Sequence, residues 1–233
     1  MQNFKKLIVC GDSYQTPSYN EKYAGTHWSE IFAKRHDLEL ITYANWGMSD
    51  TVIAFQMLAA STYDDAIIIT SPSAGLRLEW CKPEALKSIP RSYESFCTPG
   101  EKYPDAYMNV LSLAQCRIDD PMEKVFLSNL NPGLEEYKQR CMLFYALMKL
   151  QKHKRAFLFL NIIPYKDLSN SELLEIIDQK NLVTKKQFDL TPLFIDRATA
   201  TKEEFELDPG YHTLPSVQVT MADYIEQRIK EML

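Results

Sequence analysis

The sequence predicts an α/β domain: a three-layer α/β/α sandwich with a mainly parallel sheet. Three observations carry that expectation. Short, wholly apolar runs recur along the chain (within KLIVC at 6–10, DAIIIT at 65–70 and AFLFLNII at 156–163), and runs of this length suit strands buried on both faces. Segments with apolar residues at helical spacing lie between them. Ser13, Asn45 to Gly47, Ser71 to Arg77 and Asn161 each fall just past a predicted strand. That is the carboxyl edge, where open parallel sheets collect their working residues.

Taken in order, KLIVC is the first strand and runs straight into Gly11-Asp12-Ser13. THWSEIFAKRH (26–36) places Trp28, Ile31 and Phe32 at helical spacing, and LELITYA (38–44) alternates as a second strand. SDTVIAFQMLAAST (49–62) has Ser49 or Asp50 as its N-cap and an apolar face through Ile53, Met57 and Ala60. DAIIIT is the third strand. The register then breaks. Residues 82–132 hold several prolines and scattered aromatics without a sustained period. One domain over 1–233 is therefore expected, with an insertion or lid at about 82–132 that contains a helix around AYMNVLSLAQ (106–115). Its aromatic residues either cap a site or form a small satellite core.

GLEEYKQRCMLFYALMKLQKHK (133–154) is the strongest helix pattern. Gly133 precedes it, acidic residues open it and basic residues close it, as the helix dipole favours. AFLFLNII is the fourth strand and SNSELLEIIDQKN (169–181) a short capped helix. SVQVTMADYIEQRIKEML (216–233) is a terminal helix with Val219, Ala222, Ile225 and Ile229 on one face.

Composition narrows the function classes. Hydrophobic residues make up 45% of the 233, enough for a sizeable core. A formal charge of −5 with no long Lys/Arg run argues against a nucleic-acid partner. The five cysteines, Cys10, Cys81, Cys97, Cys116 and Cys141, contain no CxxC pair, so neither a disulfide framework nor a zinc site is expected. Cys10 in a strand and Cys141 in a helical pattern read as small buried hydrophobes in a reducing compartment. The apolar run behind Lys5-Lys6 is too short for a signal peptide, and no run approaches bilayer length. A cytoplasmic protein, or one assembled into something made there such as a virion, is expected, with no membrane partner. GxGxxG, Walker, HExxH and GxSxG motifs are absent, and no cofactor or metal is expected.

A serine needs a base to take its proton, and the base needs a third group to orient it. Four histidines are available. His27 and His36 bracket the first helix, and His153 lies in a basic cap. His212 sits in the turn-rich ELDPGYHTLPS, with Asp208 four residues earlier; the pair is either base and orienting carboxylate, or a surface loop. The order of these pieces resembles the SGNH (GDSL-type) hydrolase family, whose fold is flavodoxin-like. GDSY matches its first block with Ser13 as nucleophile. ANWGMSD resembles its second, with Gly47 as a backbone donor to the oxyanion, and DPGYH its last, with Asp208 and His212 completing a triad. HWSEIFA, NWGMSD and TSPSAGLRLEW are similar in style to GDSL-type proteins of tailed-phage genomes.

Two features depart from the family pattern. Its third block supplies an asparagine after the third strand, where this chain reads ITSPSAGLR. That oxyanion donor is missing or replaced, by Ser71, Ser73, Arg77 or Asn161, and one such donor is worth about 10²–10³ in rate. Arg77 is alternatively a binder of an anionic substrate group, or a partner of Glu79 or Asp50. The Asp–His spacing is four rather than three, with Pro209-Gly210 between; Glu206 is the substitute carboxylate. Asp12 reads as a turn-bonding residue before a catalyst. Asn45 belongs to the substrate loop, and Trp46 lines a sugar or acyl pocket or packs. The resemblance implies an esterase acting through an acyl-enzyme on a small-molecule or glycan ester. The rival expectation is an SGNH-fold binding or structural module that has lost catalysis.

Overall fold

The computed structural model describes residues 3–17, 21–45, 47–80, 109–112, 128–153, 155–163, 168, 175–190, 193 and 213–233. In chain order the first half holds β1 (Lys6–Cys10), α1 (Trp28–Arg35), β2 (Glu39–Thr42), α2 (Asp50–Ala60), β3 (Ala66–Thr70) and β4 (Arg77–Trp80). Then follow β5 (Asn109–Ser112), α3 (Pro132–Lys152), β6 (Ala156–Asn161), β7 (Leu182–Thr184) and α4 (Pro215–Met232). The main sheet has the order β2-β1-β3-β6-β7, with every neighbouring pair parallel. β4 and β5 form a separate antiparallel ribbon.

Strand alternation divides the core into two. Ile8, Cys10 and Ile68 face α2 and α3, packing with Ile53, Met57, Leu143 and Leu147. Leu7, Val9, Ile67 and Ile69 face α1 and α4, packing with Trp28, Phe32, Ala222 and Ile225. All three consecutive isoleucines of β3 are therefore fully buried. Each contributes about 1.5–3 kcal/mol relative to exposure, which is why positions 67–69 are apolar on both faces. This is the expected three-layer arrangement.

The helices begin where their caps dictate. His27 caps α1 and Glu30 completes the capping box. Ser49, not Asp50, caps α2 by accepting from Val52 N–H. For α3 the expected start after Gly133 is corrected: Asn131 caps it through Leu134 N–H, and Pro132 and Gly133 lie in the first turn.

Four further expectations change. Residues 109–112, inside the expected helix at 106–115, form β5, because Val110 and its neighbours pair with β4. Cys141 is exposed, since α3 buries Gln139, Leu143, Ala146, Leu147 and Leu150 instead. Val219 is exposed on α4, whose inner face runs through Gln218, Met221, Ala222, Ile225 and Ile229. β7 adds a strand of three residues, too short to show a period. The rest of the expected insertion, and most of the expected helix at 169–181, lie outside the described residues; the latter ends in a 3-10 turn at Gln179–Asn181. Among the described residues no helix is long and apolar enough to cross a membrane.

Candidate active site

At the carboxyl end of β1 the chain turns sharply. Asp12 C=O accepts from Gln15 N–H at 3.0 Å and from Thr16 Oγ1 at 2.9 Å. Asp12 Oδ1 accepts from Tyr14 N–H at 3.1 Å, an Asx turn that wraps the carboxylate around Ser13. Ser13 thus stands at the turn's crest at the carboxyl edge of the sheet, with 7% of its surface exposed.

Gly11 makes the turn possible. Its φ is +153°, and a Cβ there would lie 2.6 Å from Gln15 Cγ and 2.9 Å from Gln15 Cβ. Its N–H donates to Gln56 Oε1 of α2 at 2.8 Å, and its C=O accepts from Asn45 N–H at 3.3 Å. Gly11→Ala is expected to destabilise the fold by about 1–3 kcal/mol through backbone strain, and more through the clash. Urea unfolding checks this; an unchanged midpoint would show that the turn re-forms around a side chain.

Two loops close on Ser13. After β2 the chain passes Asn45, half-buried, to Gly47 at φ +75°, whose N–H takes no partner among the described residues. After β3, two buried carboxylates clamp the backbone. Asp50 Oδ1 accepts from Ser73 N–H at 2.7 Å, and Asp12 Oδ2 accepts from Ala74 N–H at 2.9 Å. Ser73 Oγ donates to Gly75 C=O at 3.0 Å.

Arg77 joins the two loops to the serine turn. Its Nη1 lies 3.1 Å from Asp12 Oδ2 and donates to Met48 C=O at 3.2 Å, while Gln139 Nε2 of α3 donates to its C=O at 2.6 Å. Among the described residues its carboxylate partner is Asp12 and not Asp50; the side chain of Glu79 lies outside the described residues. Ser71 is fully buried, as is Asn161, whose Oδ1 accepts from Leu168 N–H at 3.4 Å. Asn161 ends β6, and β3 stands between it and β1. Trp46, Glu206, Asp208 and His212 lie outside the described residues.

His27 approaches the turn from the other side. Its Nδ1 accepts from Ser29 N–H at 3.4 Å and lies 2.7 Å from Ser29 Oγ; Nε2 is 3.5 Å from Tyr14 C=O. The bond accepted at Nδ1 puts the proton on Nε2, directed at that carbonyl. Complete burial lowers its pKa to about 3, so the ring is neutral. From here the path runs on: Trp28 N–H donates to Gln218 Oε1 at 2.9 Å, and Gln218 Nε2 donates to Thr213 Oγ1 at 2.5 Å.

His27, Asp50, Gln56 and Gln218 were not singled out from the sequence as site-building residues. Gln56 had a signal, an amide three residues beyond Ile53 on an otherwise apolar helix face. A cavity of about 430 Å³ lined by Phe4, Asp64, Arg155 and Asp178 opens at the amino edge of the sheet, away from Ser13.

No family model and no curated protein sequence matches the chain. Among solved structures it is similar to the psychrotrophic esterase EstA from Pseudoalteromonas sp., inhibited by monoethylphosphonate, with a TM-score of 0.50, 13% identity and 97% of each chain covered. It is also similar to TesA, with a TM-score of 0.50, 12% identity, and 98% of this chain and 100% of that one covered. At this identity the likeness is one of fold: the parallel sheet layered between helices is shared with both over nearly the whole chain.

Proposed function

We propose that the chain is an SGNH-type serine hydrolase that cleaves a carboxylic ester, carried on a small molecule or a carbohydrate, through an acyl-enzyme. Ser13 is the nucleophile, His212 the base and Asp208 the carboxylate that orients it. Ser13 Oγ bonds to the ester carbon as its proton passes to His212, and the carbonyl π pair moves onto oxygen. That oxyanion accepts from the N–H groups of Ser13 and Gly47. Collapse breaks the ester C–O bond, and the alcohol leaves with the proton from His212. Water repeats the sequence on the acyl-enzyme to release the acid.

The observation that carries this reading is the hydrogen-bonded path beneath Ser13. Thr213, the next residue after His212, is held by Gln218, which is held by Trp28 N–H; the adjacent His27 reaches the carbonyl of Tyr14, which follows Ser13. The segment just after the proposed base is thereby tied to the serine turn. The description of EstA as an esterase supports the same class.

Labelling by a fluorophosphonate probe tests the proposal, with Ser13→Ala and His212→Ala beside the wild type. Labelling of the wild type alone is expected. A folded wild type inert to the probe and to p-nitrophenyl acetate would overturn the hydrolase reading in favour of a binding or structural module.

A further inference from the structure

Neutral N–H groups from Ser13 and Gly47 face a full negative charge when a tetrahedral oxyanion forms, and a cation at the same place would stabilise it further. Arg77 is the cation whose contacts join those two segments. One nitrogen, Nη1, is shared between the carboxylate of Asp12, the residue before Ser13, and the carbonyl of Met48, the residue after Gly47. The guanidinium therefore bridges the two stretches that carry the proposed donors.

The remaining edge of that guanidinium, Nε and Nη2, takes no partner among the described residues, although the side chain is only 15% exposed. Other side chains of the loop are spent or sealed. Ser73 Oγ donates to Gly75 C=O, Ser71 Oγ is buried behind Gly11, and Asn161 lies a strand away. A planar fork with one nitrogen anchored keeps its orientation, so its open edge needs little reorganisation to meet a developing charge.

We infer that Arg77 is a catalytic residue, its open guanidinium edge donating to the oxyanion formed when Ser13 attacks the acyl carbon. This deepens the hydrolase reading and rests on it. Asp12 is then a positioning residue that holds Arg77 and balances its charge in the resting protein.

The test uses p-nitrophenyl acetate and the fluorophosphonate probe on the whole protein, with Arg77→Lys, Arg77→Met and the double variant Asp12→Asn/Arg77→Met. The double variant also removes the negative charge that Arg77 balances, so urea unfolding is expected to show stability recovered relative to Arg77→Met alone. The labelling rate and kcat are expected to stay about 10²–10³-fold below wild type in both, with KM little altered. Arg77→Lys keeps the ion pair without the fork and is expected to be intermediate. Wild-type rates in the double variant or in Arg77→Lys would overturn the assignment and leave Arg77 a structural latch. A wild type inert in both assays would overturn the hydrolase reading, and this inference with it.

Discussion

Between pH 7 and pH 5 the folded protein is expected to lose about 2 kcal/mol of stability through His27 alone. The folded state holds the ring neutral with its pKa lowered to about 3, whereas the unfolded chain protonates it near 6.5. The unfolded state therefore binds the extra proton over the whole interval, and stability falls as pH drops from 6.5 toward 3. At about 1.4 kcal/mol per pH unit the full loss approaches about 5 kcal/mol, comparable with the total stability of many domains. The cause is desolvation of the charged ring by burial. His27 caps α1, bonds Ser29 and meets Tyr14 C=O with no surface exposed, so an imidazolium there has no water. Urea unfolding at pH 7, 6 and 5 on wild type and His27→Asn, which keeps a capping side chain, measures it. The wild type should lose the larger increment; equal slopes would show that His27 escapes burial on protonation.

Asp12→Ala is expected to cost about 3–5 kcal/mol. The change leaves the half-sealed Arg77 guanidinium without its carboxylate and two N–H groups, of Tyr14 and Ala74, without their acceptor. Exposure decides the size. The Lys138–Glu135 pair on α3 is shorter, 2.6 Å against 3.1 Å, but Lys138 is 58% exposed where Asp12 is 0%. Glu135→Ala should therefore shift stability by no more than about 0.5 kcal/mol. Asp12→Asn preserves the shape and one acceptor, and should fall between them. A loss under 1 kcal/mol for Asp12→Ala, read by urea unfolding, would mean that the loop after β3 does not depend on the Asp12 clamp.

Much of the fold was legible because burial on both faces leaves an unmistakable mark. A strand that must place Ile67 and Ile69 in one core and Ile68 in the other is apolar throughout, and KLIVC and AFLFLN follow the same rule. The helices between them were readable from their apolar faces, although Val219 lies one position off the inner face of α4 and Cys141 on the exposed side of α3. β4, β5 and β7 escaped. These strands of three or four residues lie outside the runs that read as strands, and pairing with another strand decides them. The serine turn was visible as a strand ending in Gly-Asp-Ser, since that local chemistry needs only neighbouring residues.

By itself, then, the sequence determined the layered α/β architecture and the placing of Ser13 at a strand's carboxyl end. Both follow from interactions between residues close in the chain and from the demand that apolar surface leave water. Only the tertiary structure decided that Arg77 pairs with Asp12, 65 residues away in the chain, rather than with Asp50. It likewise decided that His27 is a buried neutral strut of the turn, and that Gln218 ties Thr213 to the first helix. A polar side chain's partner is chosen by which groups the packed sheet brings within about 3 Å and seals from water, and nothing in the spacing of one residue to the next records that choice.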